Sequence, residues 1–306
     1  MYDCIIVGSG PAGFSAGIYV SQAGYNTAII LGNEYGGNIA KTSHLGNYPG
    51  LPGIKQGLDL INIMSEQSVE SGCNLIFAEL IEFNYVNNTY SCKLNTGEVI
   101  NSKSLILATG STPRTLQLPL EEKYFSKGIH TCATCDGNFY KNKTVAVIGG
   151  GNSAAEYARY LSNISTKVYL IYRKNKLKVS TNMLNILQKT NNIKIIYNAN
   201  ISSINESDNK LTSITLTNNQ ILDIDGIFYA IGHIPNTQHI KSNISNTIIN
   251  NDSLFSPELI QRNNINGLFV AGDCSTVKYQ QAIVAAADGA IAGMDAIKYL
   301  GENCVK

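Results

Sequence analysis

Two glycine turns of one design constrain this chain more than any other feature. The first lies in "CIIVGSGPAG" (4–13), where a short apolar run reaches Gly8, and Gly10 and Gly13 complete G-x-G-x-x-G. The second lies in "TVAVIGGGNSAAEYARYL" (144–161), where Gly149, Gly151 and Ala154 give G-x-G-x-x-A. Each follows a strand-like apolar run and opens a segment with helical spacing of apolar residues. In such a strand–turn–helix unit the first glycine makes the tight turn. The second lets backbone approach a pyrophosphate, and the third position packs helix against strand. The helix N-terminus then carries partial positive charge toward the phosphates. A lone G-x-G-x-x-G is weak; the strand before and the helix after give it weight.

The pattern downstream repeats as well. After the first turn come "NLIFAELIEFNYV", "YSCKLNTGEVI" and "LILATG" (105–110); after the second come "IKIIYNANISSINE", "LTSITLTNNQILDI" and "IFYAIG" (227–232). Each module thus reads as a βαβ unit, a β-meander and a strand ending in small residues plus glycine. One more strand, "GLFVAGD" (267–273), follows the second module without a fingerprint of its own. The expected fold is α/β, with two Rossmann-like three-layer dinucleotide-binding domains, the second inserted into the first. The first domain would comprise 1–112 and 240–306, and the inserted one 113–239. Pro113 and Pro235 mark the connections, a two-strand junction able to act as a hinge.

The strand ends suggest which nucleotides bind. "NTAIIL" (26–31) leads to Glu34, placed to accept a ribose hydroxyl roughly 20 residues past the last glycine. "KVYLIYRKNKLK" (167–178) instead ends in Tyr172 followed by Arg173, Lys174 and Lys178. An NAD site would place an acid there, whereas a 2′-phosphate calls for cations, so the second turn points to NADP.

Seven cysteines are scattered and odd in number, unlike a secreted disulfide framework. Only Cys132 and Cys135, in "HTCATCDGNFY" (130–140), form a close pair, with Asp136 directly after. Structural zinc would want a second Cys or His pair, and His130 alone leaves a ligand missing. A redox pair fits better than zinc or a persistent structural disulfide, and no metal site is expected. Charge adds exclusions: 23 basic and 22 acidic side chains give a net +1, no footprint for nucleic acid or an anionic membrane. No apolar run approaches the roughly 20 residues of a membrane span. "YDCIIVG" (2–8) begins almost at once, so no signal peptide is expected before it. The expected location is the cytoplasm.

These residues resemble one family closely, the low-molecular-weight FAD-dependent thioredoxin reductases. The resemblance runs the length of the chain through "GSGPAG", "EYGGN", "NYPG", "ATGSTPR", "CATCDG", "VIGGGNSAAE", "GHIPN", "GLFVAGD" and "YQQA". It implies FAD in the split domain and NADPH in the inserted one. FAD contacts would come from Gly8, Gly10, Pro11, Ala12, Gly13, Glu34, Gly36, Gly37, Asn38, Thr42, Asn47, Thr109, Gly110, Gly272, Asp273, Gln281, Ala282 and Ile283. NADPH contacts would come from Gly149, Gly151, Asn152, Ser153, Ala154, Arg173, Lys174 and Lys178.

The same resemblance makes Cys135 the sulfur nearer the flavin, Cys132 the attacker of the partner's disulfide, and Asp136 an acid/base for the exchange. It implies thioredoxin as partner, a homodimer, and an inserted domain that swings to present nicotinamide and disulfide to the flavin in turn. Departures are visible. Tyr172, Arg173, Lys174 and Lys178 stand where the family has His-Arg-Arg and a later Arg, and Lys cannot grip phosphate with a bidentate fork. Asn38 stands for Gln, Gln280 for Arg, and Asn138 for an aromatic, with Phe139 kept. Cys274 reads as a small buried filler, and Cys4, Cys73, Cys92 and Cys304 as bland. A different donor (ferredoxin or NADH), a non-thioredoxin acceptor, or a non-catalytic flavin redox sensor are the alternatives. The intact second fingerprint and the acid beside both cysteines argue against them.

Overall fold

In the computed structural model, residues 1–43, 45–52, 56–238, 240–277 and 279–303 are described. Cys304, His44 and His239 lie outside them. The chain divides into two compact units, Met1–Thr112 with Ile234–Lys306, and Pro113–His233. The second boundary thus falls between His233 and Ile234, a few residues before the position expected from sequence. The connecting segments, Ser111–Pro113 and His233–Pro235, pair as a two-stranded ladder.

In the first unit, Tyr2–Val7 lies between Thr27–Ile30 and Val99–Leu107 and runs parallel to both, and Asn74–Ile76 extends the sheet beyond Thr27–Ile30. Val99–Leu107 has two kinds of neighbour on its other side. Its first part pairs antiparallel with Thr89–Leu94, and Leu105, Ile106 and Leu107 pair in parallel with Leu268–Val270. Side chains alternate across this sheet. Cys4, Ile6, Ile29 and Ile106 join Phe14, Leu60 and Ile61 in one core. Ile5, Val7, Ile30, Leu105 and Leu107 join Phe83, Tyr90 and Phe255 in the other. Burial on both faces is why "CIIV" and "LIL" are continuous apolar runs rather than alternating ones. Helix Pro11–Gln22 meets Ala282–Asn303 so closely that a Cβ on Gly289 would run into the Ala12 backbone.

The second unit has a five-stranded parallel sheet in the order Ile193–Tyr197, Lys167–Tyr172, Thr144–Ile148, Gly226–Tyr229, Ile129–His130. Its meander, Ile201–Ser207, Lys210–Leu216 and Ile221–Asp223, forms a sheet of its own. In the first unit the last meander strand runs unbroken into the parallel sheet. Here the chain is interrupted at Ile224 and Asp225, and the Asp225 carboxylate accepts from the Thr144 N–H at 2.8 Å before Gly226 starts the next strand. Among the described residues no helix is long and apolar enough to cross a membrane.

Candidate functional site

Chemistry-bearing residues gather in each unit separately. In the first, Gly8 has φ +123°, a conformation that side chains rarely tolerate, and a Cβ there would strike the Ala108 carbonyl. A Cβ on Gly13 would strike the Gly8 carbonyl, which is the close helix–strand approach that the third glycine of the fingerprint exists to permit. A Cβ on Gly10 would meet nothing within 4 Å. Gly10 is also the N-cap of Pro11–Gln22 and supplies no side-chain cap. Bare backbone donors beside open space therefore stand where a pyrophosphate fits. Ser9 locks the turn: its hydroxyl donates to the Leu31 carbonyl at 2.7 Å and accepts from the Gly36 N–H at 3.0 Å.

Other expected residues of this unit converge through polar contacts. Asn38 donates to the Ser111 carbonyl at 2.6 Å, and the Ser111 hydroxyl donates to Asp273 at 3.4 Å. Thr109 donates to the Asn236 carbonyl at 2.7 Å, and the Asn236 amide returns a bond to the Thr109 carbonyl at 3.0 Å. The Gly272 N–H donates to Asp288 at 3.1 Å, and a Cβ on Gly272 would approach Ala12 Cβ to 3.1 Å. Asn47 donates to Gln281 at 3.1 Å, and Thr42 donates to the Asn38 carbonyl at 3.4 Å. Glu34 is exposed and paired with Lys41 at 2.8 Å, apart from this network. Ser111, Asn236 and Asp288 were not among the residues expected from sequence. Cys274 is fully buried against the Leu107 and Ala271 carbonyls, a filler's surroundings.

Burial pushes the Asp273 carboxyl up to about 6; the Ser111 hydroxyl opposes the shift and Asp288 adds to it. A carboxyl raised above its unfolded value leaves stability intact below the unfolded pKa, and the folded state loses that stability as pH rises through about 6. Asp273→Asn should therefore stabilise the unliganded protein by about 2–3 kcal/mol near neutral pH and by almost nothing in acid below the ordinary Asp range. Urea melts at the two pH values check this. Equal gains at both would mean that burial of the charge is not the cause.

The second unit repeats the turn. Gly149 has φ +149°, Gly151 faces open space, and helix Asn152–Ser162 starts at Gly151 without a side-chain cap. Ala154 is buried behind the turn, where its Cβ would sit 3.0 Å from a Cβ on Gly149, and Asn152 and Ser153 open the helix. A Cβ on Gly150 would run into the Tyr172 ring, so that ring covers one side of the turn. The basic segment is tied to the same turn: the Lys178 N–H donates to the Gly150 carbonyl at 2.7 Å, and Leu177 is buried beneath. Arg173, Lys174 and Lys178 stay exposed, and Lys176 adds a cation not expected from sequence. A cationic rim beside bare helix donors suits a nucleotide carrying an extra phosphate.

Cys132 and Cys135 are joined as a disulfide with their Cα atoms 5.3 Å apart. Cys132 caps the helical turn Ala133–Asp136, and its Sγ accepts from the Cys135 N–H at 3.2 Å. Asp136 closes that turn, and its Oδ2 lies 3.2 Å from His130 Nδ1. No cluster able to hold a metal occurs among the described residues.

The family model for pyridine nucleotide-disulphide oxidoreductases matches residues 2–289. A thioredoxin reductase of Buchnera aphidicola is 36% identical, covering 99% of this chain and 95% of its own length. The crystal structure of thioredoxin reductase from Streptococcus pyogenes superposes with a TM-score of 0.89 at 28% identity, over 99% of both chains. Thioredoxin reductase from Giardia duodenalis gives 0.85 at 31% identity, over 98% of this chain and 99% of that one.

Proposed function

The chain belongs to the thioredoxin reductases of the pyridine nucleotide-disulphide oxidoreductase family, and on that premise we propose which residues do the work and on what partner. It is a flavoprotein disulfide reductase that uses FAD and NADPH. Bound FAD would supply the two-electron link between the hydride donor NADPH and a disulfide. The first unit would hold FAD, through the Gly8–Gly13 turn, the Asn38–Ser111–Asp273 chain and the Asn47–Gln281 pair. The Pro113–His233 unit would hold NADPH, with the exposed Arg173, Lys174, Lys176 and Lys178 available to its 2′-phosphate.

The bonded Cys132–Cys135 pair with a carboxylate at the next residue carries this reading. Two electrons and two protons convert the pair to a dithiol. Asp136 takes the Cys132 thiol proton, and the thiolate attacks the partner disulfide; one S–S bond breaks, a mixed disulfide forms, and the leaving partner sulfur takes the proton back. Cys135 then attacks Cys132 Sγ and restores the internal disulfide as the second partner sulfur leaves protonated. The partner is thioredoxin, and the half-exposed Phe139 beside the pair offers it an apolar contact. The near-neutral charge supports a protein that serves neither nucleic acid nor membrane, and we place it in the cytoplasm as a homodimer.

The test is anaerobic addition of NADPH, then NADH, to purified yellow protein. NADPH should bleach the flavin and raise the titratable thiols by two, heat should release FAD, and oxidised thioredoxin should restore the colour. A protein that takes up no flavin, or gains no thiols on bleaching, overturns the proposal.

A further inference from the structure

We infer that His130 is a positioning residue for the thiol–disulfide exchange, holding the Asp136 carboxylate through its Nδ1–H while Tyr140 holds the ring from the other side. The inference rests on the reading of Cys132, Cys135 and Asp136 given above. His130 ends the edge strand Ile129–His130, two residues before Cys132, and is buried. Its Nδ1 lies 3.2 Å from Asp136 Oδ2 and its Nε2 lies 2.8 Å from the Tyr140 hydroxyl. The imidazole stacks on Phe228 at 5.4 Å between ring centroids and meets the Tyr140 ring edge-on at 5.3 Å. A Cβ on Gly226 would strike the Tyr140 ring, so the strand that carries Phe228 is bare where Tyr140 must lie.

One arrangement of protons uses every donor once. The Tyr140 O–H donates to Nε2, and the Nδ1–H donates to the carboxylate. Burial raises the Tyr140 phenol above its ordinary range, which keeps that donor protonated. A buried imidazole with both nitrogens engaged, one face stacked on Phe228 and Tyr140 meeting it edge-on is fixed in orientation, so one Asp136 oxygen is fixed too. The other is left for the protons that pass between sulfurs. Titratable and charged neighbours of the cluster are Asp225, Glu156, Tyr157 and Lys143. Asp225 and Asp136 act on Tyr140, and Asp136 and Glu156 act on Tyr157. The Lys143 ammonium lies 5.4 Å from the Tyr140 ring centre. The Tyr157 hydroxyl donates to the Thr131 carbonyl at 2.7 Å, bracing the same loop.

Three substitutions separate positioning from packing. His130→Phe keeps an aromatic between Phe228 and Tyr140 but removes both polar contacts. His130→Asn places an amide nitrogen where Nδ1 stands, and His130→Gln places one where Nε2 stands. The holoprotein is reduced with dithiothreitol, desalted, and alkylated with iodoacetamide across pH, a readout that needs no turnover. With Asp136 no longer tied, its charge bears on the neighbouring sulfurs. The alkylation midpoint should rise by about half a pH unit in His130→Phe. It should return in His130→Asn but not in His130→Gln, and His130→Phe should add no shift to Asp136→Asn. Thioredoxin reduction should fall about tenfold in His130→Phe and recover in the Asn variant alone. Wild-type behaviour of His130→Phe, rescue by Gln instead of Asn, or a shift that persists in the Asp136→Asn background overturns the inference. If wild-type protein reduces no thioredoxin, the proposed function falls while the alkylation series still decides the role of His130.

Discussion

Cys132→Ser and Cys135→Ser each lower thioredoxin reduction by more than about a thousandfold, because the two sulfurs act as a unit and neither alone completes the exchange. The two losses differ in kind. A serine hydroxyl is not ionised at neutral pH, so Cys132→Ser lacks the attacker and forms no adduct with the partner. Cys135→Ser retains the attacking thiol and lacks the sulfur that resolves the adduct. It should accumulate a mixed disulfide with oxidised thioredoxin, visible as a higher-mass band on non-reducing gels and released by dithiothreitol. NADPH should still bleach the flavin in Cys132→Ser, since hydride transfer needs neither sulfur. Normal thioredoxin reduction by either variant would remove the pair from the mechanism. Adduct formation by Cys132→Ser rather than Cys135→Ser would exchange the two roles.

Neutralising Arg173 and Lys174 together should raise the KM for NADPH by about 10- to 100-fold and leave that for NADH nearly unchanged. A charge-assisted contact to phosphate contributes about 1.5–3 kcal/mol in sheltered geometry. These side chains are exposed, and solvent reduces that figure. Lys176 and Lys178 remain on the same rim and limit the loss further. NADH lacks the 2′-phosphate and gives these cations nothing to read. Steady-state kinetics with both nucleotides at two salt concentrations decides it, since a phosphate contact also weakens as salt rises. Equal changes for both nucleotides would assign the rim a structural role.

Legibility in the sequence followed the range of each constraint. The two glycine turns could be read because their demands are local. Gly8 and Gly149 need a backbone conformation that side chains resist, and Gly13 and Ala154 need to be small against the turn they back. The exposed basic segment after Tyr172 is local in the same way, and the family's spacing covers Lys174 and Lys178 but passes over Lys176. The His130 cluster was not legible. Its members come from an edge strand, two short helical turns and a different strand, and only the pairing of Ile129–His130 with Gly226–Tyr229 brings Phe228 beside His130. A glycine opening an otherwise apolar strand, Gly226, was the one trace of Tyr140 lying across it. Ser111, Asn236 and Asp288 escaped similarly, since each acts on a glycine-rich turn from a remote part of the chain. The meanders were legible as strands. Whether each would merge with its parallel sheet turned on Asp225 and its bond to the Thr144 backbone, which no periodicity displays.

The division of Val99–Leu107 between two neighbours has a consequence for how the protein is made. Leu105, Ile106 and Leu107 take Leu268, Phe269 and Val270 as parallel partners, so one strand of the first unit's sheet emerges from the ribosome more than 150 residues after its neighbour. Pro113–His233 is continuous and can close its own core while those later residues are still being synthesised. Units tend to fold as wholes, and distant strand pairing is slow. The later unit in the sequence is therefore the first able to finish. Until residues 268–270 arrive, the nascent first unit has an open strand edge at Leu105–Leu107, an apolar surface for a chaperone to shield.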